Sequence, residues 1–284
     1  MKISKWLACL FIISYGFFVS TLIASDSYKI KDLHRTSKYR QKYDSLVDQI
    51  CLMIKEDTNY LDLLSQLVLI GKPFAEEMGL KDPNLFLVER RNEAIRSGIK
   101  WDLDSYFQEK LDLLIKGQQP LSSLNGLIFP DGKFYKISPK NTLFPSFNLL
   151  AIVHVPNQIP YSEGHVLNFF GEGFENTTIF FSAPKDLNKM QNYLFCKWEE
   201  LIEHSLEKEF MSEVAVFHWY FVQVNPFVRG SYFAANLLVD ALLKSKGVAL
   251  KIDPYRQMEF EILLEPYLKE FVRKYETYFV TGSA

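Results

Sequence analysis

"FVQVNPFVRGSYFAANLLVDALL", residues 221–243, decides how the rest of the chain is read. An apolar stretch runs into Asn225-Pro226-Phe227, turns through Val228-Arg229-Gly230 and becomes apolar again after Ser231-Tyr232. Proline cannot continue a helix and glycine readily leaves one, so the pattern predicts helix, short loop, helix. The approach, "MSEVAVFHWYFVQV" from 211 to 224, has no charge after Glu213 and apolar groups on every side. A helix of that kind belongs at the centre of a bundle. "YFAANLLVDALLKSKG" is expected to pack beside it, with Lys244 and Lys246 near its end and Gly247 as its stop.

Working outward, "KDLNKMQNYLFCKWEELIEH" places Leu187, Met190, Leu194, Trp198, Leu201 and Ile202 at steps of three and four, an amphipathic helix. Residues 37–117 read as helices. In "YDSLVDQICLMIKED" the positions Leu46, Ile50, Leu52, Met53 and Ile54 fall near one face. A second helix is predicted to stop at Gly71. A third, "LFLVERRNEAIRSG", ends at Gly98 with Arg96 in its last turn, and "WDLDSYFQEKLDLLIKG" ends at Gly117. The middle changes character. "LIFPDGKFYKIS" (127–138) reads as two short strands around Pro130-Asp131-Gly132, and "NLLAIVHV" and "TTIFFSAP" as further strands. A last long helix is expected over 255–278. The fold class is mainly α with a small β excursion.

The chain has 284 residues, 48% hydrophobic, 23% charged and 15% aromatic, ample for a bulky aromatic core. A formal net charge of −2 offers no basic face for nucleic acid. The first residues read as a targeting segment. Lys2 and Lys5 precede an uncharged run from Trp6 to Ala24, with small residues at Ala24 and Ser25 for a cleavage site. Residues 1–25 are thus a signal peptide or an N-terminal anchor, and the body is expected outside the cytosol: periplasmic, secreted or lumenal, membrane-anchored if the leader is retained. Residues 26–36 are a polar linker at the start of an N-terminal helical region, 26–120, ahead of a domain over 121–284. Cys51 and Cys196 could pair in an oxidising compartment or remain separate thiols. The histidines have no zinc spacing, so no metal site is expected.

"VFHWYFVQVNPFVRGSYFAANLLVDALL" resembles the core of the Fic family, the Fido fold, whose usual signature is His-Pro-Phe-x-Asp/Glu-Gly-Asn-Gly-Arg-x-x-Arg between two helices. His218, seven residues before the motif, and "GEGFENTTIFFSAPKDLNKMQNYL", similar to the family's strand and flap, extend the likeness over about residues 171–245. The resemblance implies a helical bundle with a small β-hairpin flap. It also implies transfer of AMP from ATP, or of another phosphate-linked group, to a protein hydroxyl. In that family the loop histidine is the base, the carboxylate holds Mg²⁺, the Gly-Asn-Gly backbone cradles anionic oxygens and the arginines neutralise phosphate.

Position by position, the chemical residues have changed. Asn225 stands at the histidine position, and an amide cannot act as a base near neutral pH; losing such a base typically costs about 10²–10⁴ in rate. Pro226 and Phe227 match and are structural. Arg229 reverses the charge at the carboxylate position, where Mg²⁺ would want oxygen ligands. Gly230 matches. Ser231, Tyr232 and Phe233 replace Asn-Gly-Arg, and Asn236 replaces the last arginine. The family's inhibitory motif has no counterpart. Arg229, Gly230 and Ser231 remain as a candidate anion-binding corner at a helix N-terminus. The bland alternative is that Ser231 caps the helix and Arg229 pairs with a neighbouring acid. His218 is expected as a hydrogen-bonded core histidine.

The expected function is that of an exported, catalytically degenerate Fido-like module that binds a protein partner and needs no cofactor. The alternative is a non-standard transferase using ATP and Mg²⁺. A third reading treats the motif likeness as accidental.

Overall fold

The computed structural model describes residues 36–80, 82–88, 95–98, 133–137, 146–153, 162–170, 178–181, 187–204, 206, 209–253, 256, 258–263, 265 and 268–281, which are mainly helical. The leader, most of the linker, the 101–117 helix, the first strand of 127–138 and residues 171–177 of the flap lie outside the described residues. No described helix is long and apolar enough to cross a membrane.

Seven α-helices are described: α1 Ser37–Lys55, α2 Tyr60–Glu77, α3 Leu187–Glu203, α4 Phe210–Val224, α5 Ser231–Ser245, α6 Met258–Leu263 and α7 Leu268–Lys274. Helix α4 is the axis of the core. Every residue from Phe217 to Val224 is buried, as its charge-free sequence requires. Two of its polar groups are met by backbone: Trp219 Nε1–H donates to Glu265 O at 3.1 Å and Gln223 Nε2–H to Ile262 O at 3.1 Å. Around it α3 buries Met190, Leu194, Trp198 and Leu201 of the predicted stripe, with Ile202 partly buried. On α1, Leu46, Ile50 and Ile54 face inward, but Leu52 is exposed. Helix α5 ends where expected: Gly247 has φ +74, and Val248 N–H reaches back to Leu243 O at 2.9 Å.

Three helix readings need correction. Helix α2 does not stop at Gly71. It continues to Glu77 and closes on Gly79 (φ +66), with Leu80 N–H bonded to Ala75 O at 2.8 Å. Gly71 is there for close packing instead: a Cβ on it would lie 2.6 Å from Leu87 Cβ and 2.7 Å from Phe86 O. The segment ending at Gly98 is not helical at its end; Ile95–Gly98 is strand β1. The 255–278 helix is broken into α6, α7 and a 3-10 turn, Tyr275–Tyr278. Pro266 disfavours helix at the residue before it, which explains the interruption.

Strands β1, β2 Lys133–Ile137, β3 Ser146–Val153, β4 Ser162–Phe170 and β5 Thr178–Phe181 form an antiparallel sheet in the order β1-β5-β4-β3-β2. Three of these were legible as strands. The sheet is larger than a hairpin because β4 joins β3 to β5, with Leu149 opposite Leu167 and Leu167 opposite Ile179. Two further short strands, β6 Leu250–Ile252 and β7 Phe279–Thr281, pair antiparallel. Cys51 is buried and Cys196 exposed, both free thiols, so the disulfide alternative falls away.

Asp240 on α5 fastens α1 and β6 to the core. Tyr43 O–H donates to its Oδ2 at 2.8 Å and Ile252 N–H to its Oδ1 at 2.9 Å. Outside, Lys251 pairs with Asp44 at 2.9 Å and Lys244 with Asp48. Burial pushes the Asp240 carboxyl up to about 7, against the pull of its two hydrogen bonds.

Two tests follow from this packing. Ala normally gains about 1 kcal/mol over Gly inside a helix. Gly71→Ala is expected instead to lose about 1–3 kcal/mol by overpacking against Leu87 and Phe86. A stabilised variant in urea unfolding would show that the contact yields. Asp240 binds a proton in the folded chain that the unfolded chain has released between about pH 4 and about pH 7. Its contribution is therefore present at low pH and lost as pH rises through that window. Asp240→Asn should gain on wild type across it, by on the order of a few kcal/mol, with all other titrations cancelling in the difference. A stability difference independent of pH would assign the titration elsewhere.

Candidate functional site

The loop predicted between two apolar helices is present, and its shape is set by how α4 ends. Asn225 takes the left-handed conformation (φ 50, ψ 64) and its N–H returns to Phe221 O at 3.0 Å. Asparagine is among the few residues that adopt this conformation readily, so its identity suits a helix terminus. It is 8% exposed. Pro226 then prevents any further helix. Phe227 is buried with its ring 6.4 Å from that of Phe221.

Ser231 closes the loop on itself. Phe227 N–H donates to Ser231 Oγ at 3.0 Å, and the Ser231 hydroxyl donates to Phe227 O at 3.3 Å. Ser231 is the first helical residue of α5. The capping position belongs to Gly230, in the left-handed region at φ +85. Gly230 is required for space as well, since a Cβ there would meet Phe86 Cε2 at 2.8 Å and Leu87 Cδ2 at 3.1 Å.

The neighbour that makes this contact was not legible as such. Phe86 to Val88, read as the start of a helix, is a non-helical strap laid along the loop, with Phe86 extended and Leu87 left-handed. Leu87 N–H donates to Arg229 O at 2.9 Å and Val228 N–H to Val88 O at 2.8 Å, with Phe86 and Arg229 bridged in parallel. Asp82 begins the strap, and Pro83–Leu85 form a 3-10 turn. The Arg229 guanidinium reaches back to Asp82, Nη1 to Oδ2 at 3.8 Å, with the side chains 27% and 51% exposed. The Asp82-Pro83-Asn84 turn signature was the available clue.

His218 lies in the core, with Nδ1 2.8 Å from the Tyr275 hydroxyl. Burial pushes it down to about 3, only partly offset by the Asn236 amide beside it, so it is neutral near pH 7. Its ring stacks over Tyr232 at 6.5 Å between centroids. Burial likewise raises the Tyr275 phenol well above its ordinary range, so that it keeps a proton for this contact.

Chemically, the site offers two backbone groups, an apolar slot and one cation, all turned toward a polypeptide segment. Among the described residues no group of three His, Cys, Asp or Glu side chains is placed to hold a metal ion. Comparison with known protein families and with characterised proteins returns no match.

The Ser231 clamp can be checked directly. Ser231→Ala leaves the buried Phe227 N–H without its acceptor, which should cost about 1–3 kcal/mol in chemical denaturation. A loss within experimental error would show that the loop holds its form without it.

Proposed function

We propose that this chain is a Fido-like domain that has lost group-transfer chemistry and serves as a protein-binding module through the Asn225–Ser231 loop. One observation carries the reading. Val228, Arg229 at the carboxylate position of the resemblance, and Gly230 at its first glycine are engaged with an acid-bearing strap of polypeptide. Asn225 supports it, because its amide ends a helix and offers no base. Arg229 supports it too, because a cation there repels Mg²⁺ and attracts a carboxylate. The export pattern of residues 1–25 places such a module outside the cytosol in this proposal.

Calorimetric titration with ATP, with and without Mg²⁺, should give no binding heat, and labelled ATP should leave no label on added proteins. Mg²⁺-dependent ATP binding, or label transfer that Arg229→Ala abolishes, would replace this reading with that of an unorthodox transferase.

A further inference from the structure

The strap is held unlike ordinary core. Leu87 is fully buried, yet its backbone sits at φ +56, and Asp82 at φ +52. A bulky residue in the left-handed region is an outlier that persists only where its surroundings impose it. The walls of the Leu87 slot are glycines on two separate elements, Gly71 of α2 and Gly230 of the loop, and a Cβ on either would collide with the strap. Phe86 completes the fit, its ring 5.9 Å from Phe74 and 5.3 Å from Phe233. A backbone edge that pairs with a segment and a slot for one aliphatic side chain are the two elements strand addition uses to bind a peptide, and a cation stands at one end of them here.

We infer that Asp82–Val88 is an intramolecular stand-in for a segment of another protein. The site is the Val228–Arg229 edge with the Gly71–Gly230 slot. The partner segment pairs its backbone with the edge, places an aliphatic anchor in the slot and carries an acid upstream of it for Arg229, in the order Asp82 and Leu87 now display. A segment supplied in trans is not tied to the end of α2, so it seats its anchor without the left-handed strain that the tether imposes. Partner binding and strap release are then one exchange, and the strap sets the threshold. This deepens the binding-module reading and rests on it for its biological use.

The probe is a labelled peptide with the sequence of residues 82–88, added to the full chain. By hydrogen exchange, the Leu87 and Val228 amides of the wild type should exchange together, at least about tenfold faster than core amides such as Phe221 and Leu238. Leu87→Ala removes the anchor while the left-handed strain stays in place, so it weakens the strap. By fluorescence anisotropy its apparent affinity for the peptide should rise about tenfold or more over wild type. The Leu87→Ser peptide should bind at least about tenfold more weakly than the parent peptide. Each of these results overturns the proposal: amides of the strap that exchange only with global unfolding, a folded Leu87→Ala chain with no gain in affinity, or a serine peptide that binds as well as the parent. Should Leu87→Ala fail to fold, exchange in the wild type and the paired peptides decide. A wild-type dimer formed by mutual strap exchange and indifferent to peptide also overturns it. Nucleotide transfer would sink the non-catalytic reading alone, whereas a strap locked in place with silent ATP calorimetry would sink this inference alone.

Discussion

A helix with no polar face has to be enclosed, and α4 imposes that on the whole core. From Val214 to Val224 only Val216 is other than buried, and that only partly, so α3, α5, α6 and α7 pack around the helix. Enclosure leaves few ways out. The chain exits the core at Asn225 and re-enters it at Ser231, with backbone groups that must be satisfied within a few residues. The Phe227–Ser231 clamp satisfies one end of that bend, and the strap satisfies the outer edge at Val228 and Arg229. The loop's form therefore follows from core burial, whatever chemistry it carries.

The same constraint sorts what was legible in the sequence from what was not. Helices α3, α4 and α5 were legible because their burial pattern is written in local periodicity and their stops in glycine chemistry. Strand β4 was not, because Glu163, His165 and Asn168 interrupt any clean alternation. Strand β1 was misread because Arg96 and Gly98 form a good local helix end, while pairing of Ile95 with Phe181 and Gly98 with Thr178 decides the outcome from far along the chain. Gly71 was misread for the opposite reason. Its lack of a side chain serves a contact with Leu87 and Phe86, and a contact between distant residues leaves no periodic trace.

The candidate site shows the same division. Asn225, Pro226, Phe227, Arg229, Gly230 and Ser231 could be placed on one bend from spacing alone. Their partners could not, since Asp82 and Leu87 come from a segment that nothing local ties to the loop. The Ser231 hydroxyl was expected at a helix cap, its commonest use, but Gly230 already has the left-handed conformation that starts α5. Freed from that task, the hydroxyl bonds back into the loop.

Magnitudes indicate how the strap is held. The exposed Arg229–Asp82 pair is worth about 0–1 kcal/mol, enough to orient a segment and too little to anchor it. Full burial of Leu87 contributes about 1.5–3 kcal/mol, and the two backbone bonds about 0.5–1.5 kcal/mol each. Against them stand the left-handed backbones of Leu87 and Asp82, at about 1–3 kcal/mol for the bulkier residue and less for the aspartate. The gain exceeds the cost by a few kcal/mol at most, so the strap is seated without being locked. The slot selects the side chain, the backbone edge demands a segment with its own N–H and C=O free to pair, and the charge fixes which end lies where. A segment that meets all three demands gains over the strap about the energy the strain costs, and pays from it the entropy of association that the tethered strap is spared.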